Sequence, residues 1–183
     1  MSILRRCNAG TAGLHSTTHL KGKDMAMEKT LVILKPDCVA RRLIGKVLSR
    51  FEEKGLAVVG MRMEIIDMAT AEKHYAEHQG KPFYPGLTKF ITSGPVVIMA
   101  LQGVEAVTVV RKMIGATSGR AAERGSIRGD FGMSKGFNLV HASGSPESAE
   151  RELGLFFGKG GFMPEPGVDD LRWNYEYVNG EPF

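Results

Sequence analysis

From Thr30 to Leu34 the chain is apolar apart from the threonine, and Lys35-Pro36-Asp37 ends the run. A short apolar run bounded in this way reads as a buried strand. Val39, Leu43, Val47 and Phe51 follow at helical spacing, with Ile44 and Leu48 beside them, as far as Gly55, a natural helix stop. Leu56 to Ile65 then alternates, which puts Val59, Met61, Met63 and Ile65 on one side of a second strand. Ala69 to Glu77 reads as a helix, and Pro82 to Thr92 as a turn with a short helix. Pro95 to Leu101 is a third strand, Val104 to Ile114 a helix closed by Gly115, and Gly115 to Ser126 a loop.

The next segment combines pattern with chemistry. Arg128-Gly129-Asp130-Phe131 reads as an arginine-bearing turn, and Phe137 to Val140 as a short strand that delivers His141. Ala142 to Ser145 is a small-residue turn, and a helix opens at Pro146. Serine before the helix and proline at its first position are a start signal, one capping a free amide and the other pre-setting φ. Ala149, Leu153, Phe156 and Phe157 share one face of that helix, with Glu152 on its margin. A carboxylate there is within reach of the strand end. Bonded to one ring nitrogen of His141, it would fix the tautomer and free the other nitrogen to attack. A lone histidine is more commonly satisfied by backbone groups, so the inference needs company.

Strands alternating with helices suggest a parallel sheet by order alone. The weakly separated helices at residues 69–92 and the proline-led third strand fit a split antiparallel sheet equally well.

Length and composition narrow the classes. The 183 residues suffice for one good core and a single domain, and 43% hydrophobic with 24% charged residues is ordinary for a globular protein. The net charge of +4 is unevenly placed: residues 1–27 carry four cations against Asp24, leaving +1 for residues 28–183. The body therefore gives no bulk-charge argument for nucleic acid or an acidic membrane surface. Cys7 and Cys38 make no disulfide framework, which favours a reducing, cytoplasmic setting, and no apolar run is long enough to span a bilayer. Residues 1–27 are rich in Ser, Thr, Gly and basic residues. They fit a disordered leader, a start codon placed too early (Met25 and Met27 follow), or a transit peptide that would redirect the chain to an organelle. Residues 158–183, rich in Gly and Pro with Trp173, Tyr175 and Tyr177 in alternation, read as an extended arm on the chain's own body or on a neighbouring subunit.

Lys35 at a strand end, with Arg111 and Arg128 on separate elements, would supply the positive clamp that phosphoryl transfer needs. Each alone is more often a solvated charge. Phe83 between Pro82 and Tyr84 reads first as packing, and as a platform for a nucleobase if exposed. His74-Tyr75-Ala76-Glu77-His78 has the spacing of an inverted zinc-protease motif, though no third ligand is evident. A non-catalytic binding module would have no need of His141, Arg111 and Arg128 together, and no GxxxxGK[ST] loop occurs.

Asn138-Leu139-Val140-His141-Ala142-Ser143-Gly144-Ser145, with Arg128-Gly129-Asp130-Phe131 upstream, resembles the active-site signature of the nucleoside diphosphate kinases. The order Lys-Pro-Asp, Tyr, Pro-Phe-Tyr-Pro-Gly-Leu, Arg, Arg-Gly-Asp-Phe, Asn-x-x-His agrees along residues 28–157. The resemblance implies an α+β fold: a ferredoxin-like βαββαβ antiparallel sheet with helices on one face. It implies ping-pong transfer of a γ-phosphoryl group through a phosphohistidine, with ATP, GTP and other nucleoside tri- and diphosphates as partners. His141 matches the nucleophile and Ser143 and Glu152 the pair that orients it. Lys35 and Tyr75 match contacts near the terminal phosphate; Arg111, Thr117 and Arg128 match contacts to the phosphate chain. Asn138 matches the ligand of the sugar hydroxyl and Phe83 the residue under the base. Magnesium is expected on the nucleotide, with no metal ligand from the protein, and a homo-oligomer, tetramer or hexamer, is expected. The chain departs from the family pattern at Cys38, Lys135, Ala142 and Gly144, the last replacing a carboxylate near the magnesium, and in a loop at 116–126 without its usual prolines.

Overall fold

The computed structural model describes residues 27–158, 160–163, 174–178 and 181–182. Strand β1 is Met27–Leu34 and strand β3 is Val96–Val104. All of β3 is buried, as is β1 from Thr30 onward. A strand without a solvent face reads as a nearly unbroken apolar run, as both of these do. They pair antiparallel along their whole length, Met27 opposite Val104 and Leu34 opposite Val97. Strand β2 (Ala57–Glu64) adds antiparallel to the far side of β3, and β4 (Val140–Ala142) to the far side of β1. The order β2-β3-β1-β4 is the ferredoxin-like arrangement, so the antiparallel alternative holds and the parallel one does not.

Helices cover both faces of this sheet, not one. Helices α1 (Pro36–Ala40), α2 (Ile44–Glu53) and α5 (Ala106–Ile114) set Cys38, Val47, Phe51, Val110 and Ile114 against Val32, Leu34, Met99 and Leu101. On the opposite face, α3 (Met68–His74), α4 (Tyr84–Ile91) and α7 (Pro146–Phe157) set Ala71, Ile91, Leu153 and Phe156 against Leu31, Ile33, Ile98 and Ala100. Successive residues of β1 point to opposite sides, so each side needs apolar cover. Each such side chain contributes about 1.5–3 kcal/mol when buried, so baring one face would cost more than a typical domain's margin of about 5–15 kcal/mol.

Three local expectations are corrected. The helix expected through Val39 and Phe51 is two helices, parted where Arg42 takes φ 57° and the Leu43 amide reaches back to the Cys38 carbonyl. The apolar spacing continues because both pieces pack on the same face. In β2, a bulge at Val59 separates the pairs Val58–Leu101 and Gly60–Ala100. The extra residue slips the alternation, so Val59 is buried while Met61, Met63 and Ile65 are 54%, 56% and 67% exposed. The third concerns the chain's beginning: β1 starts at Met27, three residues before the apolar run.

Of the leader expected over residues 1–27, Met27 belongs to β1 and the rest, with Cys7, lies outside the described residues, as does Trp173. Of the arm, Tyr175 packs on the chain's own body, its hydroxyl accepting the Val104 amide at 3.2 Å. Beyond it, β5 (Tyr177–Val178) pairs antiparallel with β6 (Glu181–Pro182). No helix among the described residues is long and apolar enough to cross a membrane.

Candidate active site

His141 lies in the middle of β4, opposite Ile33 of β1. The strand begins at Val140 rather than Phe137, because the chain folds sharply at Leu139. There φ is 70° and the Val140 amide bonds the Asn138 carbonyl two residues back, at 2.8 Å, closing a γ-turn. Phe137 is left 59% exposed. After the strand, the Ser145 hydroxyl accepts the Ser148 amide and Pro146 opens α7, as the start signal requires.

On α7, Glu152 shares the buried face with Ala149, Leu153 and Phe156 and is only 2% exposed, deeper than the margin expected of it. Its Oε2 lies 3.1 Å from His141 Nε2 and accepts the Ser143 hydroxyl at 2.8 Å. Ser143 is itself tied to β1: its hydroxyl accepts the Leu31 amide at 3.2 Å and its own amide bonds the Leu31 carbonyl at 3.2 Å. An ionised carboxylate only accepts, so the bond assigns the proton to Nε2 and the free lone pair to Nδ1. Burial lowers the His141 pKa from its ordinary value; Glu152 pulls it up, while Lys35 and Arg128 push it further down. The ring is therefore neutral at pH 7. Burial drives the Glu152 carboxyl upward, but the His141 and Ser143 hydrogen bonds and the charges of His141 and Arg151 outweigh it and hold the pKa below the ordinary value.

The cations gather on the same side of the sheet end. Lys35 is buried and donates from Nζ to Asn138 Oδ1 at 2.7 Å. Burial, then Arg128, brings its pKa down to about 8 against the opposing charge of Asp37. Asn138 in turn donates from its amide nitrogen to the Thr117 carbonyl at 2.9 Å and the Lys135 carbonyl at 3.0 Å. Arg128 sits on a short helix, α6 (Ile127–Phe131), rather than in a turn, with the Ser126 hydroxyl capping it. Its Nε, Nη1 and Nη2 donate to the carbonyls of Asn138, Gly115 and Val140 at 3.3, 2.8 and 2.7 Å. Of the five N–H groups of a guanidinium, two are left for a ligand. Burial and the neighbouring Arg111 lower its pKa to about 10. Arg111 is exposed and lines, with Lys112, Gly115, Ala116 and Gly144, a cleft of about 510 Å³; Thr117, in the adjoining loop, is exposed too.

Aromatic residues form the other wall. Phe83 is 55% exposed, with the His78 ring 5.5 Å away edge-on and Lys81 Nζ 5.9 Å above it. Tyr75 stacks on His78 and turns its ring edge-on to His141 at 6.1 Å. Its hydroxyl is buried without a partner among the described residues, and burial raises its pKa, so it remains a donor.

The ten residues singled out from the sequence are thus linked through contacts or through their charges, with Phe83, Arg111 and Thr117 exposed and most of the rest buried around His141. Two of the departures from the family pattern follow His141 closely. Ala142 pairs with Val32 in extended backbone, which alanine adopts without strain. Gly144 faces open space, since a Cβ built on it meets nothing within 4 Å. Two residues named earlier only within motifs make contacts that the motifs did not indicate. Asp37 accepts the Leu139 amide at 3.0 Å, and buried His74 meets His141 edge-on at 4.5 Å. The Lys-Pro-Asp triplet and the neighbour of Tyr75 were the available signals for them.

No zinc pair forms from His74 and His78. Helix α3 ends at His74, and His78 lies in the following 3₁₀ turn, bonded to Lys81 at 3.1 Å. His74, His141 and Glu152 do bring ligand atoms within 4.8 Å of one another. Glu152 and His141 are already bonded together there, and Lys35, Arg128 and Arg151 oppose a cation. Magnesium takes oxygen ligands and keeps its waters. The groups available here are ammonium, guanidinium, amide and hydroxyl donors with two carboxylates, Glu152 and Asp37, each already accepting a hydrogen bond, a set that fits a polyphosphate and not a resident magnesium ion.

Residues 28–162 match the family model described as nucleoside diphosphate kinase. The chain is 56% identical over 137 residues to a nucleoside diphosphate kinase of Thermococcus kodakarensis, covering 73% of this chain and 79% of the relative. It is 59% identical over 131 residues to one of Rhodopirellula baltica, covering 72% and 86%. A halophilic nucleoside diphosphate kinase from Halobacterium salinarum, solved in complex with CDP, superposes with a TM-score of 0.79 at 44% identity, over 82% of this chain and all of that one.

Proposed function

The chain belongs to the nucleoside diphosphate kinase family, and on that premise we propose that His141 Nδ1 is the atom that carries the phosphoryl group between nucleotides. The reaction is transfer of a γ-phosphoryl group from a nucleoside triphosphate to a nucleoside diphosphate through a phosphohistidine, the mechanism general to the family. The observation that carries the assignment is the bond of Glu152 to Nε2, which leaves the other nitrogen unprotonated.

Nδ1 attacks the γ-phosphorus as the bond to the bridging oxygen breaks, and that oxygen leaves with the nucleoside diphosphate. Nε2 keeps its proton throughout, so the phosphorylated ring carries positive charge, which the Glu152 carboxylate offsets without reorganising. Ser143 fixes that carboxylate. The second half is the reverse attack by a diphosphate oxygen. Lys35, Arg111, Arg128 and Thr117 neutralise and hold the phosphate chain, and Tyr75 donates to it. Asn138 has one free lone pair on Oδ1 for a sugar hydroxyl, its amide protons being spent. Phe83 stacks under the base through its π face, which tolerates every base. Magnesium enters on the nucleotide as part of the substrate, and ATP and GTP are both donors.

The chain assembles as a tetramer or hexamer in this reading. In support, β2 is a sheet edge among the described residues and exposes Met61 and Met63, a surface that single chains seldom leave bare. Residues 28–157 form the catalytic domain and 158–183 an arm. A reducing, cytoplasmic setting accords with Cys38, a free buried thiol whose pKa burial raises to about 12.

The test is labelling with γ-labelled ATP, followed by a chase with mixed nucleoside diphosphates. Acid-labile label should form on the enzyme and pass to every diphosphate, and His141→Ala should abolish both. Label retained by His141→Ala would mean that another residue is the nucleophile.

A further inference from the structure

We propose that Asp37 is a positioning residue for this reaction, holding the strained turn that sets Asn138 relative to His141. The inference rests on the roles assigned to those two residues above.

Leu139 is the centre of the γ-turn, at φ 70°, a region that branched apolar residues seldom occupy. Such a conformation persists only where the surroundings over-determine it. Here the Leu139 side chain is fully buried, its carbonyl accepts the Lys35 amide at 2.8 Å, and Arg128 holds the flanking carbonyls of Asn138 and Val140. The Leu139 amide points away from the β4 ladder, and the acceptor it meets is Asp37 Oδ2, at 3.0 Å. Asp37 is delivered from the first turn of α1, at the far end of β1 from the chain's start. Its other oxygen is buried without a hydrogen bond among the described residues, so the Leu139 amide is the polar contact that the carboxylate makes there.

Without that acceptor the amide would be a buried orphan, and the chain would gain by turning it elsewhere. Leu139 would relax toward extended backbone, which advances about 3.3 Å per residue. Asn138 would then move away from His141, and with it the Oδ1 that Lys35 and the sugar share. The nucleophile would be left as it was, since Glu152, Ser143 and the β1 ladder hold His141 from the other side. Asp37 touches neither substrate nor nucleophile. Its effect is on the distance between them.

The experiment compares Asp37→Asn, Asp37→Ala and Asp37→Leu in the full chain at pH 7. All three remove the charge, and asparagine alone keeps an acceptor oxygen, so the contrast isolates the hydrogen bond. Phosphoenzyme formation is timed by rapid quench with magnesium-ATP and with phosphoramidate, a donor that has neither base nor sugar. Sites titrated by phosphoramidate count folded enzyme, so partial unfolding does not distort the comparison. The expected result is that Ala and Leu are at least about tenfold slower than Asn with ATP, while the three variants match one another with phosphoramidate. ATP rates equal across the three variants would overturn the proposal. So would a loss with phosphoramidate as large as that with ATP, because the effect would then lie on the nucleophile. Label on a residue other than His141 in the unaltered chain would remove the underlying assignment and this proposal together.

Discussion

His74 meets His141 edge to face, with ring centroids 4.5 Å apart, and neither nitrogen of His74 has a hydrogen bond among the described residues. Burial holds the His74 pKa well below its ordinary value, and His141, Arg151, Lys35 and His78 push the same way. The ring is thus a neutral wall behind the nucleophile, and its polarity is an expense: an unpaired buried polar group costs about 1–3 kcal/mol. His74→Phe should keep the edge contact, melt no lower than the unaltered chain, and form phosphoenzyme within a few-fold of its rate. Calorimetry and rapid-quench labelling measure both. A markedly lower melting temperature would show that the His74 nitrogens are satisfied after all.

Glu152→Gln keeps shape and one acceptor but removes the charge that balances the phosphorylated ring. The rate of phosphoenzyme formation should fall about 10²-fold or more, with the fold intact by circular dichroism. Phosphorus NMR of the unaltered phosphoenzyme should report substitution at Nδ1. Substitution at Nε2 would contradict the role given to Glu152.

The pH dependence has two limbs. Only neutral His141 attacks, and its pKa lies below 6.5, so kcat/KM should fall on the acid side of that value. Lys35 loses its charge as pH rises through about 8, so nucleotide capture by the free enzyme should weaken there. Stability carries a matching sign. His74 and His141 both have folded pKa values below the unfolded one, so the unfolded chain takes up protons first and stability is lost as pH falls below about 6.5. In His74→Phe the melting temperature should fall less steeply over that range.

Phe83 is 55% exposed, with the His78 ring edge-on to it and Lys81 Nζ over one face, which leaves the other face for a base. Stacking is worth about 1–3 kcal/mol per base, so Phe83→Ala should raise KM roughly tenfold or more. The rise should be similar for adenine, guanine, cytosine and uracil nucleotides. A loss confined to one base would point to hydrogen-bonded readout in place of stacking.

Much of this was legible beforehand, for reasons that differ from residue to residue. Ser145-Pro146 announces α7 because capping and proline's φ are local properties, and spacing on α7 places Glu152 near Leu153 and Phe156. Residue type suggested Lys35, Arg111 and Arg128 as a clamp, but the place of Asn138 beside them was readable only through the family resemblance, since Lys35 and Asn138 are 103 residues apart. Arg128 shows what such a reading omits: three of its donors brace the backbone that carries His141, which no motif expresses.

The sequence by itself determined the order of the four sheet strands and of the longer helices, the Ser145 cap of α7, and the chemical types available, because apolar period and capping act over a turn or a strand. Tertiary structure alone decided that both faces of the sheet are covered, that Val59 bulges out of register, and that Leu139 is bent against its preference. Each of those depends on partners far along the chain: the β3 ladder for Val59, and for Leu139 an aspartate 102 residues away. A backbone amide has no side-chain signature, so where its hydrogen bond goes can be known only once the chain has folded around it.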